Sequence, residues 1–88
     1  MAKFLVLTTF TSQEKRIAHR AVHRVYLREQ VDAGKLLIAG PFDDESGGIL
    51  IFEAAGEAEV RGIMEADPFT TGGVFASTEI KPFTQVAP

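Results

Sequence analysis

The chain has 88 residues, 45% of them hydrophobic and 24% charged, with a formal net charge of -3. That composition fits one soluble folded domain, argues against disorder, and sets nucleic acid and anionic membranes aside as partners. Cysteine is absent, which removes disulfides, thiolate catalysis and cysteine zinc sites and permits a cytoplasmic location.

In chain order, residues 3–10, KFLVLTTF, are rich in β-branched and aromatic side chains and predict a strand. The apolar part of this run is too short for a signal peptide or a membrane span. Thr11, followed three residues later by Glu14, has the capping-box pattern and predicts a helix to about Ala33, closed by Gly34. KLLIAG, 35–40, predicts a second strand stopped by Gly40-Pro41. DDESGG, 43–48, is a loop by composition, with Gly47-Gly48 read as turn residues, and ILIFEA, 49–54, is a third strand. Gly56 opens a second helix over 57–66. Asp67-Pro68 ends it, because proline disfavours helical geometry in the residue before it. A glycine-bearing loop, 70–74, leads to a last strand within 76–86. No repeat or linker interrupts a single domain spanning 1–88.

The order βαββαβ predicts an α+β, ferredoxin-like fold: an antiparallel four-stranded sheet with two helices on one face. FLVL, LLIA and ILIF are continuous apolar runs, the pattern of strands buried on both faces. Two helices cover one face only. The other face therefore predicts a second copy, sheet against sheet, in a homodimer or a multiple of one.

Both histidines of the chain fall in the first helix, within RIAHRAVHRVYL at 16–27. At 3.6 residues per turn His19, His23, Tyr26, Leu27 and Gln30 share a lane about 100° wide. Ala18, Ala21, Val22 and Val25 occupy another arc. The helix is thus expected to be contacted on two sides, and periodicity leaves open which arc faces the sheet. His19 and His23 have the i, i+4 spacing of helical zinc sites. Arg20, however, stands where a metalloprotease motif needs glutamate, and Arg16 and Arg24 would repel a dication, so no metal is expected.

Asp67 falls at the C-terminal end of the second helix, where the helix dipole disfavours a negative charge. Two readings remain open. Asp-Pro starts turns, and the carboxylate can bond backbone amides just downstream. Alternatively a nearby cation stabilises it, and the lane of His23, Arg16 and Arg20 is within reach if both helices share a sheet face. A carboxylate on one imidazole nitrogen fixes the tautomer and orients the ring, freeing the other nitrogen to move a proton. Arg16 and Arg20 would then hold a substrate carboxylate or phenolate, and Phe69 would wall a pocket for a flat apolar ligand.

RIAHRAVH, the eleven-residue step from His23 to Gly34, GKLLIAGPF, GGILIFEA, ADPF and EIKPF together resemble the YciI-like (YCII-related) family over almost the whole chain. The resemblance implies a ferredoxin-like dimeric α/β barrel and an active-site pair of a helix histidine with the aspartate of the Asp-Pro motif. By motif these are His23 and Asp67, with Arg16 and Arg20 matching the basic residues before the histidine. One branch of the family removes chloride from a chlorinated hydroxyhydroquinone. His19 and Gln30 depart from the family pattern.

Two functions follow as expectations. The first is an enzyme without cofactor, in which His23, oriented by Asp67, transfers protons on a small cyclic or aromatic acid in isomerase, lyase (dehydrochlorinase) or hydrolase chemistry. The second is a non-catalytic dimeric module for a small ligand or a partner, the pair serving as a buried polar link. An open pocket reaching His23 favours the first, and a close-packed pair the second.

Overall fold

Phe4, Val6 and Thr8 alternate along the first strand with Leu5, Leu7 and Thr9, and only the former set is buried. Period-two alternation sends successive side chains to opposite faces, so these residues mark the side that carries the helices. The computed structural model describes every residue from Met1 to Pro88. Its elements are β1 (Ala2–Phe10), α1 (Gln13–Asp32), β2 (Leu36–Pro41), β3 (Gly47–Ala54), α2 (Glu57–Ala66), α3 (Pro68–Thr71) and β4 (Phe75–Phe83). The strands form one antiparallel sheet in the order β2-β3-β1-β4. This is the ferredoxin-like α+β arrangement expected from the element order.

In register, Phe4 faces Phe52, Val6 faces Leu50, and Leu36 lies across Phe52 on its other side. These side chains, with Ala54, Val60 and Met64, make the buried core, and Leu27 of α1 packs against it. On the opposite face Leu5 and Leu7 pair with Ile51 and Ile49 and are only half-buried. A bulge between Leu36 and Ile38 sets Ile38 across from Ile51, adding it to that same row. The continuous apolar runs therefore divide into a buried set under the helices and a half-covered set on the bare side.

Several local details differ from expectation. The cap of α1 is Ser12, whose hydroxyl accepts from the Lys15 amide. Thr11 instead donates its hydroxyl to the carbonyls of Gly73 and Val74, tying the start of α1 to the segment before β4. Gly34 does close the helix, with φ at 76°, while the Lys35 amide reaches back to the Gln30 carbonyl. Gly47 and Gly48 lie in β3 rather than in a turn; a β-carbon at Gly48 would sit 2.5 Å from the Gly40 carbonyl oxygen. The four-residue helix α3 follows α2 directly, and β4 begins at Phe75 and ends at Phe83. No helix is long and apolar enough to cross a membrane.

Helix α1 turns its histidine lane inward: His19, His23, Tyr26, Leu27 and Gln30 are partly buried. The arc of Ala18, Ala21, Val22 and Val25 faces outward and is exposed. The helix thus buries its more polar side, which borders a cavity.

Candidate active site

Asp67 is both the end of α2 and the cap of α3. Pro68 cannot supply an amide hydrogen, and its fixed φ suits the first position of a helix. The Asp67 carboxylate accepts from the next available amide, Phe69 N–H, at 2.8 Å. The same oxygen, Oδ1, accepts from His23 Nδ1–H at 2.7 Å. The turn reading is thus seen in the Phe69 bond, and the lane of His23 reaches the same atom. The α2 dipole disfavours the charge, whereas the α3 N-terminus favours it. Carbonyls at the end of α2 find other donors: Tyr26 bonds Ile63 and Thr70 bonds Met64, each at 2.6 Å. Asp67 is 1% exposed, and its Oδ2 has no hydrogen-bond partner.

The His23 ring is fixed in a second way. It stacks on Phe69, with centroids 3.6 Å apart and planes within 3°. Phe75 meets both rings edge-on, at 6.3 Å from His23 and 5.5 Å from Phe69. One bond and one stack leave the imidazole little rotational freedom. With Nδ1 committed to the carboxylate, Nε2 is the nitrogen left to a ligand.

A cavity of about 290 Å³ reaches this histidine between α1 and the β2–β3 hairpin. Phe10, Phe69 and Phe75 line it with Leu27, Pro41 and the backbone of Gly48, and Arg16, Arg20 and Arg24 supply positive charge. An apolar concave site with a few convergent polar groups is the usual form of a small-molecule site.

The arginines are not equivalent. Arg16 is buried, and its Nη1 donates to Gln13 Oε1 and Glu45 Oε1, both at 3.1 Å. Its guanidinium lies 4.9 Å from the Phe10 ring centre, a cation–π distance. Glu45 adopts the left-handed φ of 61° at the hairpin tip, and its carbonyl accepts from the Gln13 side chain. Arg16 is thus tied into the wall, with part of its donor set already used. Arg20 lines the cavity and has no carboxylate partner.

His19 stands apart. Its Nδ1–H donates to the Lys15 carbonyl at 2.9 Å, and its ring lies over Gly72, where a β-carbon would come within 2.6 Å of Nε2. Sequence reasoning missed Phe10, Arg24 and Phe75 as cavity residues and treated Glu45 only as part of a loop. Phe10 follows the alternation of β1 onto the helix side, a signal that was available. Nothing in the local sequence marks Glu45.

Tyr26 ties the site to α2. Burial, followed by the nearby Asp67 and Glu29 carboxylates, pushes its phenol above the ordinary value. The unfolded chain ionises this group first, at about pH 10. The stability it contributes is therefore complete below about pH 10 and lost as pH rises from there through the higher folded value. The urea midpoint of the wild type is expected to fall more steeply than that of Tyr26→Phe above about pH 10. At neutral pH the variant should lose about 1 kcal/mol with the bond to Ile63. Parallel alkaline slopes would refute the coupling.

The YCII-related domain matches residues 2–84 of the chain. Protein YciI of Escherichia coli O6:H1 is 32% identical over 85 residues, spanning 85% of this chain and 87% of that protein. The chain belongs to the YCII-related family. An uncharacterized Haemophilus influenzae protein is 31% identical over 83 residues, 83% of this chain and 85% of its own. Among solved structures, this YCII-related chain is similar to the 5-chloro-2-hydroxyhydroquinone dehydrochlorinase TftG of Burkholderia phenoliruptrix AC1100, in complex with 2,5-dihydroxybenzoquinone. That match has a TM-score of 0.80 and 31% identity and covers 93% of both chains.

Proposed function

We propose that the protein is a cofactor-independent acid–base enzyme for a small cyclic or aromatic acid, with His23 as proton acceptor and donor and Asp67 as its orienting carboxylate. The observation that carries this reading is the cavity of about 290 Å³ that reaches His23. A histidine–aspartate pair kept only to specify packing would be closed over by neighbouring side chains. The volume suits a single ring with its substituents, and the aromatic lining suits its flat faces.

In this reading Arg20 holds the ligand's carboxylate or phenolate oxygen, and Arg16 sets the positive potential of the wall. Nε2 of His23 removes a proton from the substrate, and Asp67 stabilises the imidazolium that forms. For a chlorinated hydroxylated ring in the keto form that makes the chlorine-bearing carbon saturated, Nε2 takes a hydroxyl proton and the O–H electron pair becomes a carbonyl bond. The adjacent C=C pair shifts along the ring, and chloride departs with the C–Cl pair. The net loss is HCl, and no outside oxidant is needed. TftG, which catalyses a dehydrochlorination on such a ring, supports this class over hydrolysis. Isomerisation uses the same proton abstraction, with the proton returned to another carbon and no group expelled.

The proposal includes a homodimer through the bare side of the sheet, where Leu5, Leu7, Ile49 and Ile51 form one apolar row. Small hydroxylated and chlorinated aromatic acids, together with lactones, are the panel that tests the function. Chloride release, or solvent deuterium entering the ring, should follow from wild type and not from His23→Ala. Equal turnover by the two would end the assignment.

A further inference from the structure

We infer that the outer face of α1 is a self-association surface, on which a second copy lays its own α1 antiparallel across a twofold axis at Ala21. The inference is independent of the proposed chemistry and of the proposed sheet pairing, because this face points away from both the cavity and the bare side of the sheet.

Ile17, Val22 and Val25 are 61%, 60% and 64% exposed, and Ala18 and Ala21 beside them are exposed as well. A surface helix ordinarily turns its apolar side inward and its charged side outward. Here the polar lane is inward, so the apolar arc has no partner within the chain. Local stability offers no reason for it, since isoleucine and valine are weaker helix formers than the alanine, leucine or lysine that would serve on a solvated face. What remains is burial against another molecule.

The pattern selects the partner. Ile17, Ala21 and Val25 follow one another at four-residue steps, forming a single ridge of the kind that packs between helices. The smallest member is central, which lets two such helices approach to about 8 Å, the short end of the usual range. Glu14 and Arg28 bracket the ridge, each seven residues from Ala21, and neither has an ion-pair partner in the chain. In an antiparallel pair centred on Ala21, positions equally distant from it face each other. Ile17 then meets Val25 of the second copy, and Glu14 meets its Arg28, each contact occurring twice. A parallel pair would set glutamate on glutamate and arginine on arginine. The charge order is thus self-complementary only for an antiparallel copy, which is the condition for a closed twofold interface.

The chain has no cysteine, so an introduced one reports alone. Ala21→Cys, mildly oxidised, is expected to link two 9.6 kDa chains in high yield, because a residue on the twofold axis faces itself. Ala58→Cys, exposed on α2, should link only slowly. In sedimentation over a concentration series, Ile17→Lys/Val25→Lys should lower the assembly mass at least twofold. Glu14→Arg and Arg28→Glu should each weaken assembly by at least about tenfold, since each breaks two pairs and creates repulsion. The double variant Glu14→Arg/Arg28→Glu should restore it. Linking of Ala21→Cys no faster than of Ala58→Cys, unchanged mass in the lysine variant, or failure of the double reversal to rescue would each overturn the interface. Unchanged mass accompanied by capture of vesicles or of a foreign helix would assign the face to that partner instead.

Discussion

Replacing His23 by alanine is expected to lower turnover by about 10²–10⁴-fold, the usual contribution of a positioned acid–base group. The change also removes the stack on Phe69 and one of the two donors to Asp67 Oδ1. Leaving a buried carboxylate short of a donor costs about 1–3 kcal/mol. A chain of 88 residues has a total stability of roughly 4–13 kcal/mol, so the variant should still fold at room temperature. Circular dichroism with a thermal scan separates the two effects. Free imidazole should partly restore the rate, because the deleted ring leaves a space open to the cavity. A folded variant with wild-type turnover, or one that imidazole never rescues while its ligand affinity collapses, would reassign His23 from proton transfer to ligand binding.

The largest stability loss is expected at Phe52. This side chain is completely buried, flanked in register by Phe4 on β1 and Leu36 on β2. Val60 and Met64 of α2 belong to the same cluster. Phe52→Ala removes the ring from a row that joins β1, β2 and β3 beneath α2, and neighbours held by the sheet ladder cannot close the gap. Such a truncation costs about 3–5 kcal/mol. At about 4–8 °C per kcal/mol for a domain of this size, the midpoint should drop by at least about 12 °C. Ile38→Ala, on the bare side and 57% exposed, should shift it by no more than a few degrees in dilute protein. Comparable losses at the two positions would contradict the division between faces.

Much of the fold was legible because its signals are local. Gly34 marked the end of α1 through a left-handed backbone, and Asp-Pro marked the end of α2. The order of elements was sufficient for the topology. Three features were not legible, for separate reasons. Ser12 displaced Thr11 as cap because Thr11 is drawn to the carbonyls before β4, a contact between distant segments. Helix α3 is four residues long, too short for any periodicity, and its start was masked by the residue that ends α2. The inward arc of α1 went undecided because the usual rule, apolar inside, fails where a helix borders a cavity. Of the site, His23 and Asp67 could be brought together on paper by topology and family likeness. That one carboxylate oxygen serves both the imidazole and the Phe69 amide is a matter of tenths of an ångström. Glu45 holding Arg16 depends on where the hairpin tip bends, which no motif encodes.

The shared oxygen at position 67 also governs how ligand preference in this scaffold can diverge. Variation at that position disturbs the architecture and the imidazole together, so randomised libraries there will lose most members to misfolding before any selection for ligand begins. Phe10, Arg20, Arg24 and Phe75 border the same cavity without terminating or starting a helix. New specificities should therefore accumulate at these four bordering positions, around an acid that stays put.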